Sequence, residues 1–205
     1  MAKIGLKCPV AAPITAENQG AAPTYGTGFI IGRAVAANKT INSNDNPLYA
    51  DDAIAEMDTS FSNGTLEVTV SDFGTDSTDS LTIQASLLGH TVVTEGTEPD
   101  TVKVLRKKSG DVAPYLGFGY YKTKKLNGVL MYEATLLYKV QFQLPSENSN
   151  TKGENIEWQT PTMTCRIMTL PDWDNTYEET AIFDTESACR TWLFGKLNIT
   201  ENTGG

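Results

Sequence analysis

Five carboxylates crowd into one short segment, Ser43 to Asp58 (SNDNPLYADDAIAEMD): Asp45, Asp51, Asp52, Glu56 and Asp58, with no basic residue among them. Side chains of this kind hold calcium through several oxygens or pass protons as a paired acid and base. The segment lacks the Asp-x-Asp-x-Asp-Gly order with a closing Glu that a calcium loop uses, so weak calcium binding is the most its spacing leaves open. Acid–base work needs a sheltered pocket that drives two carboxyl pKa values apart, and spacing alone cannot supply one. A solvated charged face is the default reading.

The other reactive side chains are sparse. His90 is the only histidine, and neither Gly-x-Ser-x-Gly nor His-Glu-x-x-His occurs. Without such partners it reads as the residue that leaves a helix after Leu88-Gly89. Gly26-x-Gly28-x-x-x-Gly32 has neither the spacing of a dinucleotide fingerprint nor the Lys-Ser/Thr that closes a phosphate loop, so its glycines read as relief of crowding in a twisted strand. Cys8, Cys165 and Cys189 are odd in number and lack Cys-x-x-Cys spacing. Free thiols in a reducing compartment are expected. The chain is therefore not expected to be an enzyme, and no metal or cofactor is expected.

Charge narrows the partners. A formal charge of −9 and a pI near 4.6 disfavour tight nucleic-acid binding, which runs on Lys and Arg displacing counterions. The charge is unevenly spread. Between Lys103 and Lys125, seven of the sixteen basic residues (Lys103, Arg106, Lys107, Lys108, Lys122, Lys124 and Lys125) face one acid, Asp111, which leaves −15 on the rest of the chain. Such a block is either a polyanion site or half of a self-complementary surface.

The elements that must position these charges are mostly strands. From Leu130 to Leu144 the even positions are apolar or small and the odd ones mostly polar, which predicts a long strand with one buried face. Asn127-Gly128 before it predicts a tight I′ turn and an antiparallel partner over Pro114–Leu126. That register sets Leu126 opposite Val129, Lys122 opposite Glu133 and Tyr121 opposite Ala134. Gly117 and Gly119 then share a face, where missing side chains predict a bend or close packing by another element. Further strands are expected over Thr24–Ala37, around Leu66, Val68 and Val70, over Thr101–Leu105, and through Met163, Cys165 and Ile167, where the apolar phase switches at Pro161.

Two helices are expected. One is Asp79–Leu88, and the other runs through FDTESACRTWLFGKLN, with Asp184 as cap and Ala188, Cys189, Trp192, Leu193 and Leu197 on its buried face. At 205 residues a single domain is the expectation. The amino terminus has no continuous apolar stretch, so synthesis in the cytoplasm is expected. The fold class is mainly β, a β-sandwich or barrel-like domain with one or two flanking helices.

Several stretches, in this order, resemble the major tail protein, or tail tube protein, of long-tailed non-contractile phages: NPLYADDAIAEMDTSFSNGTL, LLGHTV, DVAPYLGFGYYK, NGVLMYEATLLYKVQFQLPSE, TKGENIEWQTPT and FDTESACRTWL. The resemblance implies a structural virion protein that self-assembles into hexameric rings, stacked into the tube through which DNA is ejected into the host. It implies an N-terminal arm over about residues 1–20 and a place in the virion tail, while the polar end over about 200–205 is expected to fray as a terminus. Partners would be further copies of the chain and other tail proteins such as the tape measure and tail terminator, with DNA passing through unbound and no membrane. An acidic wall suits such a passage, because basic side chains would grip the phosphates. Asp51, Asp52 and Glu56 would either face the lumen or meet Lys107 and Lys108 of a neighbouring copy, and Asn38–Ala50 and Ser146–Glu154 would order on docking. The alternative is a monomeric tail-associated β-sandwich that recognises a carbohydrate or protein on the host surface.

Overall fold

A computed structural model describes residues 2–74, 80–145 and 160–200. In chain order the strands are β1 (Ala2–Ala16), β2 (Thr24–Tyr25), β3 (Phe29–Ile30), β4 (Gly32–Ser43), β5 (Asn46–Ala50), β6 (Ala53–Asp58) and β7 (Phe61–Phe73). Helix α1 (Ser80–Leu88) precedes β8 (Thr91–Thr97), β9 (Asp100–Arg106), β10 (Tyr115–Leu126), β11 (Val129–Phe142) and β12 (Thr162–Met168). A 3-10 turn (Pro171–Trp173), β13 (Glu178–Phe183) and α2 (Glu186–Lys196) complete the order. The domain is mainly β, as its period-two patterning requires.

The β10–β11 hairpin forms because Asn127 and Gly128 accept positive φ, 49° and 88°, which closes the tight turn. Its register sets Leu126 against Val129, Lys122 against Glu133 and Tyr121 against Ala134, as the turn predicts. The charges pair diagonally instead: Glu133 bonds Lys124, while the Lys122 ammonium lies 4.9 Å from the centre of the Tyr120 ring.

Among the described residues nine antiparallel strands make the main sheet, in the order β2-β1-β10-β11-β12-β7-β4, with β3 added to β1 and β13 to β11. Ile31 curls it into a barrel-like form. Its N–H donates to Pro9 O at 2.9 Å and its carbonyl accepts from Gly74 N at 2.7 Å, so one residue joins the β1 side to the β7 side. The glycine-punctuated β-like stretch expected over Thr24–Ala37 forms β2, β3 and the start of β4.

Both faces of the central strands are covered. Leu66, Val68, Phe118, Val140 and Phe142 pack inside, with Ile83 and Leu87 of α1. Outside, Tyr121, Leu136 and Tyr138 lie under Cys189 and Leu193 of α2 and Leu197 at its end. The single buried face expected for β11 is thus corrected. A register shift lies between the pairs Phe118–Leu137 and Leu116–Val140, and this bulge turns Val140 and Phe142 inward although Leu136 and Tyr138 face α2. Met163, Cys165 and Ile167 are buried in the inner core, in the odd phase expected after Pro161.

Other expectations shift. β1, within the stretch of the expected arm, pairs with β10 from Ala2 to Pro13, which leaves that expectation open. The cap of α2 is Thr185, whose hydroxyl accepts from Ala188 N, and not Asp184. Asp79, Ser146–Glu154 and residues 201–205 lie outside the described residues.

Glu186 anchors α2 to the sheet. Lys7 Nζ donates to it at 2.8 Å and Tyr121 Oη at 2.7 Å. These bonds hold its carboxyl below the usual value of 4.5, Lys7 contributing most. A depressed carboxyl pKa stabilises the fold above the unfolded value, and that contribution is lost as pH falls through the folded one. Glu186→Gln should therefore lower the melting temperature at pH 7 and flatten its fall between pH 5 and pH 3 (on the order of the carboxylate range), read by thermal unfolding across that series.

Candidate functional site: two exposed hairpins of opposite charge

The acidic segment is a β-hairpin. Among the described residues β5 and β6 pair only with each other, Ala50 opposite Ala53, which puts Asp51 and Asp52 at the two turn positions with φ of 50° and 61°. Aspartate is one of the few side chains that tolerates this region, so the pair has a conformational role as well as a charge. Asp51, Asp52 and Glu56 are all exposed. Ser60 N donates to Asp58 at 2.9 Å and with its hydroxyl holds that carboxyl below its usual value. No group of three metal-ligating side chains occurs among the described residues.

Between its acids the hairpin shows apolar surface. Tyr49 is 66% exposed and pairs across the strands with Ile54, itself 53% exposed, while Met57 lies opposite Pro47. A two-stranded hairpin on its own is marginal in water, and this one holds its largest apolar groups out to solvent. Sequence periodicity hides this, because Pro47 and a register shift between Leu48 and Tyr49 break the alternation.

The basic residues behave differently from their sequence clustering. Lys122 and Lys124 sit toward the far end of β10, seven and nine residue steps from Tyr115, or about 23 and 30 Å. The block is thereby divided in two. Lys107 and Lys108 remain on the exposed link from β9 to β10, and neither side chain forms an ion pair among the described residues. Arg106 beside them is bonded to Glu95 at 2.7 Å.

His90 holds this link in place. It leaves α1 after Gly89, whose φ is 74°, and its ring, 3% exposed, bonds Asp111 at 2.9 Å. Asp111 also accepts from Lys108 N at 2.9 Å; that bond, followed by the one from His90, keeps its carboxyl below the usual value. His90 is thus a positioning residue for the basic link. Spacing could not have revealed this, because Asp111 is 21 positions away.

The two charged features stand at opposite ends of the sheet. The acidic hairpin is inserted between Ser43 and Phe61, which are register partners at one end of the β4–β7 pair. Following the register through β12 and β11 leads from that end to the Leu126 end of β10. The basic link enters β10 at Tyr115, the other end. Asp51 and Asp52 therefore cannot meet Lys107 and Lys108 of their own chain through these roots.

On the flank, Lys39, Ile41, Asp174, Tyr177, Glu178 and Thr180 line an open groove of about 620 Å³. Lys39 and Glu178 neutralise each other across it, and Tyr177 stacks on Phe61 with ring centres 4.2 Å apart. No helix among the described residues is long and apolar enough to cross a membrane. No family model matches the chain, and no curated protein matches it.

Proposed function

We propose that this chain is a structural subunit whose copies join head to tail, the acidic hairpin of one against the basic link of the next, as a subunit of a phage tail tube built from stacked hexameric rings. The observation that supports this reading is the placement of charge that forms no ion pair among the described residues: Asp51, Asp52 and Glu56 at one end of the sheet, Lys107 and Lys108 at the other. A contact between two different patches propagates copy to copy, closing into rings or extending into filaments according to the rotation it sets. Tyr49, Ile54 and Met57 would supply apolar area to the same contact, opposite Val112, which is 73% exposed beside the basic link. The tube assignment, its DNA passage and its place in the virion rest on the resemblance of the sequence.

Amide exchange tests the contact. Residues 46–58 should exchange freely in dilute protein and become protected as concentration rises. The exposed Tyr49, Ile54 and Met57 also suit a monomeric module that binds a host-surface carbohydrate or protein. That reading predicts protection on adding host envelope material and none on concentration.

A further inference from the structure

Cys8 and Cys189 are far apart in sequence, yet the packing of α2 brings them to one place. Glu186, at the start of α2, bonds both Lys7 and Tyr121, which are register partners on β1 and β10. Further along, Leu193 covers Gly119, where an added Cβ would come within 2.5 Å of its Cδ1, and Gly119 partners Val10. Cys189 lies between these anchors on the same helix face, near i+3 from one and i+4 from the other. It lies in the apolar cluster that also holds Val10 of β1.

Just before Val10, β1 has a bulge, and Cys8 is in it. The register shifts between Lys7 and Val10, and Cys8 has a φ of 56°, left-handed backbone that few side chains adopt. It is half-buried and packs against the same apolar cluster that contains the fully buried Cys189. Its thiol acts electrostatically on the Cys189 thiol and on the Tyr121 hydroxyl. Cys165 belongs to the inner core, on the other side of the sheet.

We infer that Cys8 and Cys189 form a dithiol site that closes into a disulfide, stapling β1 to α2, when the folded protein meets a small-molecule disulfide. The Cys8 thiolate, on the accessible side, attacks one sulfur of that co-reactant and releases one small thiol. The Cys189 thiolate then attacks the Cys8 sulfur and expels the second. Two protein thiols lose two protons and two electrons, and the co-reactant is reduced to two thiols. Burial pushes the Cys189 thiol up to about 11, so the closing step is slow near neutral pH and quickens as pH rises. The site rests on the fold and is independent of the assembly reading.

Oxidised glutathione is the probe, with intact mass and peptide mapping as the readouts. The expected course is a single adduct on Cys8 that gives way to a product lighter than the starting protein by two hydrogens, with Cys8 and Cys189 in one linked peptide. Closing a loop of about 180 residues should raise the melting temperature by roughly 10 °C. Cys189→Ser should stop at the Cys8 adduct. A wild-type adduct that persists, two separate adducts, or no reaction at Cys8 each overturns the inference.

Discussion

Replacing Asp51 and Asp52 together by lysine should abolish assembly, and adding Lys107→Glu and Lys108→Glu in the same chain should restore part of it. Single exposed ion pairs are worth only about 0.2–1 kcal/mol, but the contact recurs between every pair of successive copies and reversal replaces attraction by repulsion. Lysine is also strained at the positive φ of both positions, by about 1–2 kcal/mol each. A neutral control separates charge from turn geometry: Asp51→Asn with Asp52→Gly keeps a favoured I′ turn. It should raise the concentration needed for assembly at least tenfold (about 1.4 kcal/mol of lost interface), measured by sedimentation, with the circular dichroism spectrum unchanged. Tubes that form normally from the lysine variant but eject DNA slowly would instead place the acids on the lumen. Normal tubes and normal ejection contradict both placements.

The second large effect is on the fold. Gly117→Ala should destabilise the chain by about 2–4 kcal/mol, the sum of overpacking and a lost buried hydrogen bond. An added Cβ at Gly117 would come within 2.4 Å of Tyr25 Cε1 and 2.8 Å of Leu197 Cδ2. Tyr25 cannot withdraw without cost, because its hydroxyl donates to Tyr138 O at 2.8 Å in a buried setting. Denaturant unfolding should show a lower midpoint with an unchanged slope. Tyr25→Phe should cost only about 1 kcal/mol, for the hydrogen bond alone.

Gly117 also marks how far the sequence could be read. The Asn127-Gly128 turn fixes the β10–β11 register residue by residue, and with it the shared face of Gly117 and Gly119. The expectation of close packing there is met by Tyr25, Leu193 and Leu197. What packs is not legible, since nothing local ties a two-residue strand and a C-terminal helix to that face. β11 misled for a related reason: a bulge reverses its alternation at Leu137–Val140, and period-two reading cannot see an extra residue. Thr185 displaced Asp184 as the cap because either residue type suits the position and only backbone geometry decides.

The candidate site was legible as composition and not as geometry. The five acids of 43–58 are obvious in the sequence, yet Pro47 and the register shift beside Tyr49 disguise their hairpin. The basic block looked continuous because a strand's two ends are close in sequence while about 35 Å apart in space. Which lysines form no ion pair among the described residues follows only from tertiary contacts: Lys124 is bonded to Glu133, Lys122 lies over Tyr120, and Lys107 and Lys108 are left at the opposite end.

Electron microscopy of the purified chain at rising concentration is the most direct measurement of whether copies join end to end. The head-to-tail contact predicts hollow rings or tubes whose repeat places residues 46–58 of one copy against residues 107–108 of the next. Solitary particles at every concentration, with the 46–58 hairpin still exchanging freely, would contradict it.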